Sequence, residues 1–135
     1  MILTSVYGNT AAPEVLYRLL QERTPEQSIS HKAMPTWEQH LAFVNAVPHP
    51  YPHWYLLQEK GEFVGSIYLT ERREVGLCVF DGARGQGYGR VAMALLEAMH
   101  PGPMLANIAP GNPRSHRFFQ LHGFELVQMT YRREP

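Results

Sequence analysis

Hydrophobic positions along this chain recur with two periods, close to two and close to three and a half residues, and the switches between them mark out its elements. Ile2 to Tyr7 reads as a short strand, turned by Gly8-Asn9-Thr10. Pro13 then suits the first turn of a helix with Val15, Leu16, Leu19 and Leu20 at helical spacing, ended by Thr24-Pro25-Glu26-Gln27-Ser28. Thr36 reads as the N-cap of a second helix, with Gln39 placed for a capping box and Trp37, Leu41, Val44 and Val47 on one face. Pro48-His49-Pro50-Tyr51-Pro52 stops that helix and forms a stiff connector. His53 to Gln58 and Glu62 to Thr70 read as strands joined at Glu59-Lys60-Gly61, and Glu71-Arg72-Arg73 turns into a further strand at 74–80. A third helix is expected from about Gly87 to His100, ended by Pro101-Gly102-Pro103, with a short strand from Met104 to Ile108 after it. Asn112-Pro113 starts a fourth helix, with Asn as cap and Pro at the first position, and Phe124 to Arg132 reads as the last strand. The order is βααβββαβαβ, an α/β (α+β) arrangement in one domain spanning 1–135, with no internal repeat.

Bulk composition narrows the function classes. The chain carries 12 Lys+Arg against 12 Asp+Glu, a formal charge of zero, which argues against a protein built to coat nucleic acid or an anionic membrane. A 44% hydrophobic share suits an ordinary globular core, and no stretch is long enough to span a bilayer. Met1 to Val6 lacks the basic and apolar regions of a signal peptide. Cys78 is the single cysteine, so no intrachain disulfide forms, which suits a cytoplasmic location. Its apolar neighbours favour a buried inert thiol over a nucleophile.

Candidate chemistry concentrates at Arg84-Gly85-Gln86-Gly87-Tyr88-Gly89-Arg90, between the apolar run Glu74 to Phe80 and the helical pattern that begins at Val91. Strand, glycine loop and helix start is the layout of a phosphate-binding turn. Glycines let backbone N–H groups crowd an anion, the helix N-terminus adds partial positive charge, and arginines can pair with phosphate oxygens. No Gly-Lys-Ser/Thr closes the loop, so it is not a P-loop. Arg84 stands where a dinucleotide fingerprint would need its first glycine. A second block, Asn112-Pro113-Arg114-Ser115-His116-Arg117-Phe118-Phe119-Gln120-Leu121-His122-Gly123-Phe124, lies downstream.

Together the two blocks resemble the GNAT N-acetyltransferases in order and separation, over roughly residues 62 to 131. The first resembles that family's Gln/Arg-x-x-Gly-x-Gly/Ala loop. The second resembles its Asn-x-x-Ser/Ala segment closing in Gly-Phe. The resemblance implies a mixed, largely antiparallel sheet of about six strands flanked by four helices and splayed between the fourth and fifth strands. It implies acetyl-CoA as co-substrate, its pyrophosphate held by Arg84, Gly85, Gln86, Gly87, Tyr88, Gly89 and Arg90. It implies that a backbone N–H among Leu77, Cys78 and Val79 polarises the thioester carbonyl, with Asn112, Ser115 and Phe119 also facing the cofactor. The family usually has one more strand after the last one here, so either the sheet edge is left shorter or a second subunit completes it as a homodimer.

Acetyl transfer also requires a neutral amine. An alkylamine of ordinary pKa is uphill by roughly 4–5 kcal/mol at neutral pH, and a carboxylate within reach lowers that barrier. Glu74, at the start of the fourth strand, is the first candidate base; a plain ion pair with Arg72 or Arg73 is the bland alternative. Asn107 faces either cofactor or acceptor. Many family members carry a tyrosine seven residues after the motif asparagine to reprotonate the thiolate. Here that position is Phe119, which has no proton to donate, leaving Tyr131, His116 or a water, or a thiolate that leaves unaided. The acceptor is expected against Ser28 to Trp37 and Pro48 to Tyr55, which hold His31, Trp37, His40, His49, Tyr51, His53, Trp54 and Tyr55. Aromatics with few acids suit a sugar nucleotide, a nucleoside amine or an amino acid better than a polyamine. The histidines show no tight ligand motif, so no metal is expected. A catalytically silent acyl-CoA-binding module, or an amine in a protein or modified nucleic acid as acceptor, are the competing readings.

Overall fold

A computed structural model describes residues 1–23 and 33–135. Strand β1 (Ile2–Ser5), helix α1 (Ala12–Gln21) and helix α2 (Trp37–Val44) come first; strands β2 (His53–Glu59), β3 (Glu62–Leu69) and β4 (Glu74–Val79) follow. A short 3₁₀ turn (Asp81–Ala83), helix α3 (Tyr88–Met99), strand β5 (Leu105–Ala106) and helix α4 (Pro113–Leu121) complete the fold. The five strands lie in chain order, antiparallel from β1 to β4, with β5 parallel to β4. The expected α/β (α+β) fold of mixed, largely antiparallel type is therefore present.

Local chemistry accounts for the element ends. Thr36 and Gln39 close a reciprocal capping box at the head of α2. The Asn112 side chain accepts from the Ser115 N–H, and Pro113 occupies the first helical position of α4. Leu56 and Leu57 are both fully buried although they point to opposite faces, because β2 is covered on both sides. Val15, Leu16, Leu19, Val44, Trp54 and Phe80 form the core under α1 and α2. Ile67, Leu69, Val75, Met93, Leu96 and Phe119 form the core under α3 and α4.

Several sequence expectations are corrected. The strand expected from Phe124 to Arg132 does not form: the segment has no ladder partner, and Leu126, Val127, Met129 and Tyr131 are exposed. A strand is stabilised by its partner, and the edge strand β5 offers only two residues. Among the described residues the sheet thus has five strands, not about six. The strand expected at Met104 to Ile108 shrinks to Leu105–Ala106, because pairing with β4 stops at Val75↔Ala106. Val47 lies past the end of α2 and is exposed, not on its packed face. Helix α1 ends at Gln21; the Thr24 to Ser28 breaker and His31 fall outside the described residues.

Candidate active site

Pairing on the two sides of β4 is unequal, and this builds the site. On one side β4 is zipped to β3 from Val75 to Val79. The Thr70 N–H donates to the Glu74 carbonyl and the Phe80 N–H to the Val64 carbonyl, so even-numbered residues of β4 turn their main chain toward β3. Odd-numbered residues then turn theirs toward β5. Val75 finds Ala106 there, but pairing ends at that point, leaving the main-chain groups of Leu77 and Val79 facing a gap. Side chains alternate in the opposite sense: Leu77 and Val79 pack with α3 and α4, while Cys78 and Phe80 pack with α1. Burial raises the Cys78 thiol pKa, with Arg23 and Arg84 opposing, as expected of an inert thiol.

Glu74 and Asn107 meet across the foot of this gap. The Asn107 amide donates to one Glu74 carboxylate oxygen, and the Thr70 hydroxyl donates to the other at 3.3 Å. The expected alternative, an ion pair of Glu74 with Arg72 or Arg73, is absent among the described residues. Arg73 instead reaches across to the α3–β5 connection, with Nε donating to the Pro103 carbonyl and Nη2 to the His100 carbonyl at 2.7 Å. Its own carbonyl accepts from the Leu105 N–H at 2.8 Å. Arg73 is therefore a clasp that sets β5 beside Glu74, a role that turn chemistry alone did not reveal. It also sits at φ 62°, a left-handed conformation. Arg73→Gly keeps that conformation and removes both guanidinium bonds. We expect a loss of about 2 kcal/mol in urea unfolding, since bonds from charged donors are each worth about 1.5–3 kcal/mol and part of the loss is offset by relieved strain. An unchanged midpoint and slope would show that the clasp carries no weight.

At the other end of β4 lies the glycine loop. Gly85 and Gly87 adopt left-handed φ values of 80° and 81°. Gly87 is the N-cap of α3, so no side chain caps the helix, and its first turn holds no acidic residue. The helix therefore presents uncapped N–H groups and an unneutralised dipole, an arrangement that favours negative charge. Gly85, Gln86, Gly87 and Arg90 are exposed, Tyr88 and Gly89 are half-buried, and Arg84 pairs with Asp81 at 3.2 Å. Gly89 has a separate reason to be glycine: a Cβ there would come within 3.1 Å of the Phe118 ring and 3.3 Å of Leu77. That close approach draws the loop, β4 and α4 together.

Residues 14–124 match the acetyltransferase (GNAT) family, well over half of the chain. The chain belongs to that family. The GNAT chemistry is acetyl transfer to an amine with acetyl-CoA as co-substrate. None of the curated proteins compared with the chain matches it. Among solved structures, it is similar to an acetyltransferase from Thermus thermophilus, with TM-score 0.75 and 22% identity over 94% of this chain and 88% of that one. It is also similar to the aminoglycoside N-acetyltransferase AAC(6')-Iy in complex with CoA, with TM-score 0.70 and 17% identity over 99% of this chain and 93% of that one. A third is the ribosomal-protein-alanine N-acetyltransferase from Brucella melitensis, with TM-score 0.68 and 20% identity over 93% of this chain and 85% of that one.

Against this GNAT frame, the remaining site residues separate. Asn112 and Ser115 stand at the head of α4, hydrogen-bonded to each other at 3.3 Å. Phe119, by contrast, is 8% exposed and packs edge-on against Phe118 and Phe124, so its ring belongs to the core. Tyr131 is 88% exposed and shares no hydrogen bond with Glu74 or Asn107, because the strand that would have carried it inward does not form. His116 spends Nε2 on the Ala109 carbonyl at 3.1 Å. Among the described residues, the aromatic and histidine side chains expected around the acceptor fall into separate groups: His49, Tyr51 and Trp54 pack together, with ring centroids 5.0–5.2 Å apart, and Trp37 lies 5.8 Å from His40. Trp54 and His40 are buried, His40 against the Pro13 carbonyl at 2.8 Å, and burial lowers its pKa. His53 and Tyr55 join His100 on the α3 side. Tyr51 stacks on Tyr68 on the α1 side, and Trp37 lies against Tyr17. An open groove of about 460 Å³ between the β1–α1 turn and the end of α2 is lined by no residue of β4, β5 or the glycine loop. Among the described residues, no helix is long and apolar enough to cross a membrane.

Proposed function

We propose that this protein acetylates a primary amine of a small molecule, a sugar nucleotide, nucleoside amine or amino acid, with the amine attacking the thioester directly. The observation that carries the reading is the placement of two unlike groups along one strand: a carboxylate at the start of β4 and an uncapped helix N-terminus beyond its end. The residues fit the cofactor. The N–H groups around Gly85, Gln86, Gly87, Tyr88 and Gly89, with Arg84 and Arg90, would hold the pyrophosphate. The partly exposed Arg84–Asp81 pair is worth little and yields readily to a phosphate. The Leu77 and Val79 main chain would receive the thioester arm beside Cys78, and the Asn112 amide with Ser115 would steady it from α4. Bound acetyl-CoA supplies an activated acetyl group.

Within that frame Glu74 accepts the proton that the ammonium must lose. Asn107 and Thr70 fix both carboxylate oxygens, so the base is aimed before the acceptor arrives. Phe119 offers no proton, and the leaving thiolate takes its proton from solvent, which a thiol of ordinary pKa near 8.5 allows at neutral pH. The named neighbours differ in acceptor, one an aminoglycoside and one a ribosomal-protein alanine, and neither choice passes to this chain on fold alone. Titration calorimetry with acetyl-CoA and then CoA tests the reading. Micromolar binding followed by thiol release with a small amine supports it. Binding without turnover of any amine supports a silent acyl-CoA module instead, and absent binding overturns both.

A further inference from the structure

Tyr68 on β3 faces Gly76 on β4 in the ladder. A Cβ built on Gly76 would overlap the Tyr68 ring and its hydroxyl, so the phenol occupies the place of a β4 side chain. That place is defined on both sides. Along the strand it lies between Glu74 and Cys78, on the face that packs with α1. Across the sheet it lies where β4 has just lost its partner, since pairing ends at Val75↔Ala106 and Gly76 is the next residue. The ring and its hydroxyl therefore lie over β4 at Gly76, the residue that precedes Leu77 and follows the last pair with β5. The ring is held there by Tyr51, stacked at 3.9 Å and 2°, and Tyr51 is anchored in turn by the Tyr7 hydroxyl, which donates to its carbonyl. Burial and the adjoining Tyr68 hydroxyl push the Tyr51 pKa upward, so Tyr51 stays protonated at neutral pH.

We infer that the Tyr68 hydroxyl donates a hydrogen bond to the thioester carbonyl oxygen, alongside the Leu77 N–H, as the side-chain half of an oxyanion hole. This rests on the acetyl-CoA reading of the site. Negative charge grows on that oxygen as the amine attacks, and donors fixed in advance stabilise it without reorganisation. Tyr68 keeps its proton throughout. Gly76 is then required because any side chain there would displace the donor.

The test is infrared difference spectroscopy of bound [1-¹³C]acetyl-CoA, which needs no acceptor. The wild-type complex is expected to show the carbonyl stretch shifted to lower frequency than in solution. Tyr68→Phe keeps the ring, the stack and the cover over Gly76; it should still bind acetyl-CoA, less tightly by about the worth of one hydrogen bond, and show a smaller shift. 3-Fluorotyrosine at position 68, a more acidic donor, should enlarge it. Identical carbonyl bands in the two bound proteins overturn the inference and leave the cofactor reading standing. Failure of the wild type to bind acetyl-CoA overturns both. Should Tyr68→Phe not fold, the fluorotyrosine protein decides: a larger shift supports the donor and an unchanged one removes it. Loss of one such donor is expected to lower turnover on the order of 10²–10³-fold.

Discussion

Gly87→Val should bind acetyl-CoA at least about 100-fold more weakly than the wild type while staying folded. Residue 87 sits at φ 81°, where a β-branched side chain is strained. A Cβ there meets nothing within 4 Å, so the obstacle is the backbone angle and not a collision. The chain relieves the strain by turning the exposed loop, which moves the N–H groups at the head of α3 away from the anion. Each bond to a charged group is worth about 1.5–3 kcal/mol, and losing two gives 10²-fold or more in affinity. The core under α3 is built from Met93 and Leu96, a turn or more away, so the melting temperature should fall by only a few degrees. Gly82→Val is the matched control: its Cβ also meets nothing, and its φ is not left-handed. Calorimetry on the three proteins decides the matter. Equal affinity of Gly87→Val and wild type would mean that the loop does not carry the phosphate.

Glu74→Gln should reduce turnover on the order of 10²–10⁴-fold near neutral pH, the usual contribution of a positioned general base. Glutamine preserves the length of the side chain and can still accept from Asn107 or Thr70, so the foot of the gap stays intact. The pH profile carries the diagnosis. At neutral pH an alkylamine is uphill by about 4–5 kcal/mol before it can attack, and the base lowers that barrier. As pH rises toward the amine's own pKa, the neutral form appears without help and the deficit of the variant should shrink. A deficit that is constant across pH would point to a merely structural glutamate, and an unchanged profile would remove Glu74 from the mechanism. Acetyl-CoA affinity should be unaffected, because Glu74 and the glycine loop occupy opposite ends of β4.

Elements bounded by strong local signals were legible in the chain. Thr36 with Gln39, and Asn112 with Pro113, announce helix starts because short polar side chains satisfy donors that the helix itself leaves free. The glycine loop and α3 were legible for the same reason: left-handed residues and an uncapped end follow from residue type. The strand read at 124–132 was not decidable this way. Its apolar residues look like those of other strands, but a strand exists only with a partner, and two residues of β5 do not supply one. Tyr131 is exposed because that strand does not form, and the Phe119 ring packs in the core because α4 turns it toward Phe124.

Family membership, the glycine loop and the capped helices were thus determined by the sequence itself, since each depends on neighbours within a few residues. The tertiary structure alone decided the rest. It set where β5 leaves β4, brought Asn107 to Glu74 from 33 positions away, turned Arg73 from an expected ion-pair partner into a clasp, and laid Tyr68 over Gly76. Those relations depend on which strands pair and where pairing stops. Pairing is settled by burial summed over the whole sheet, a quantity no short stretch of residues contains.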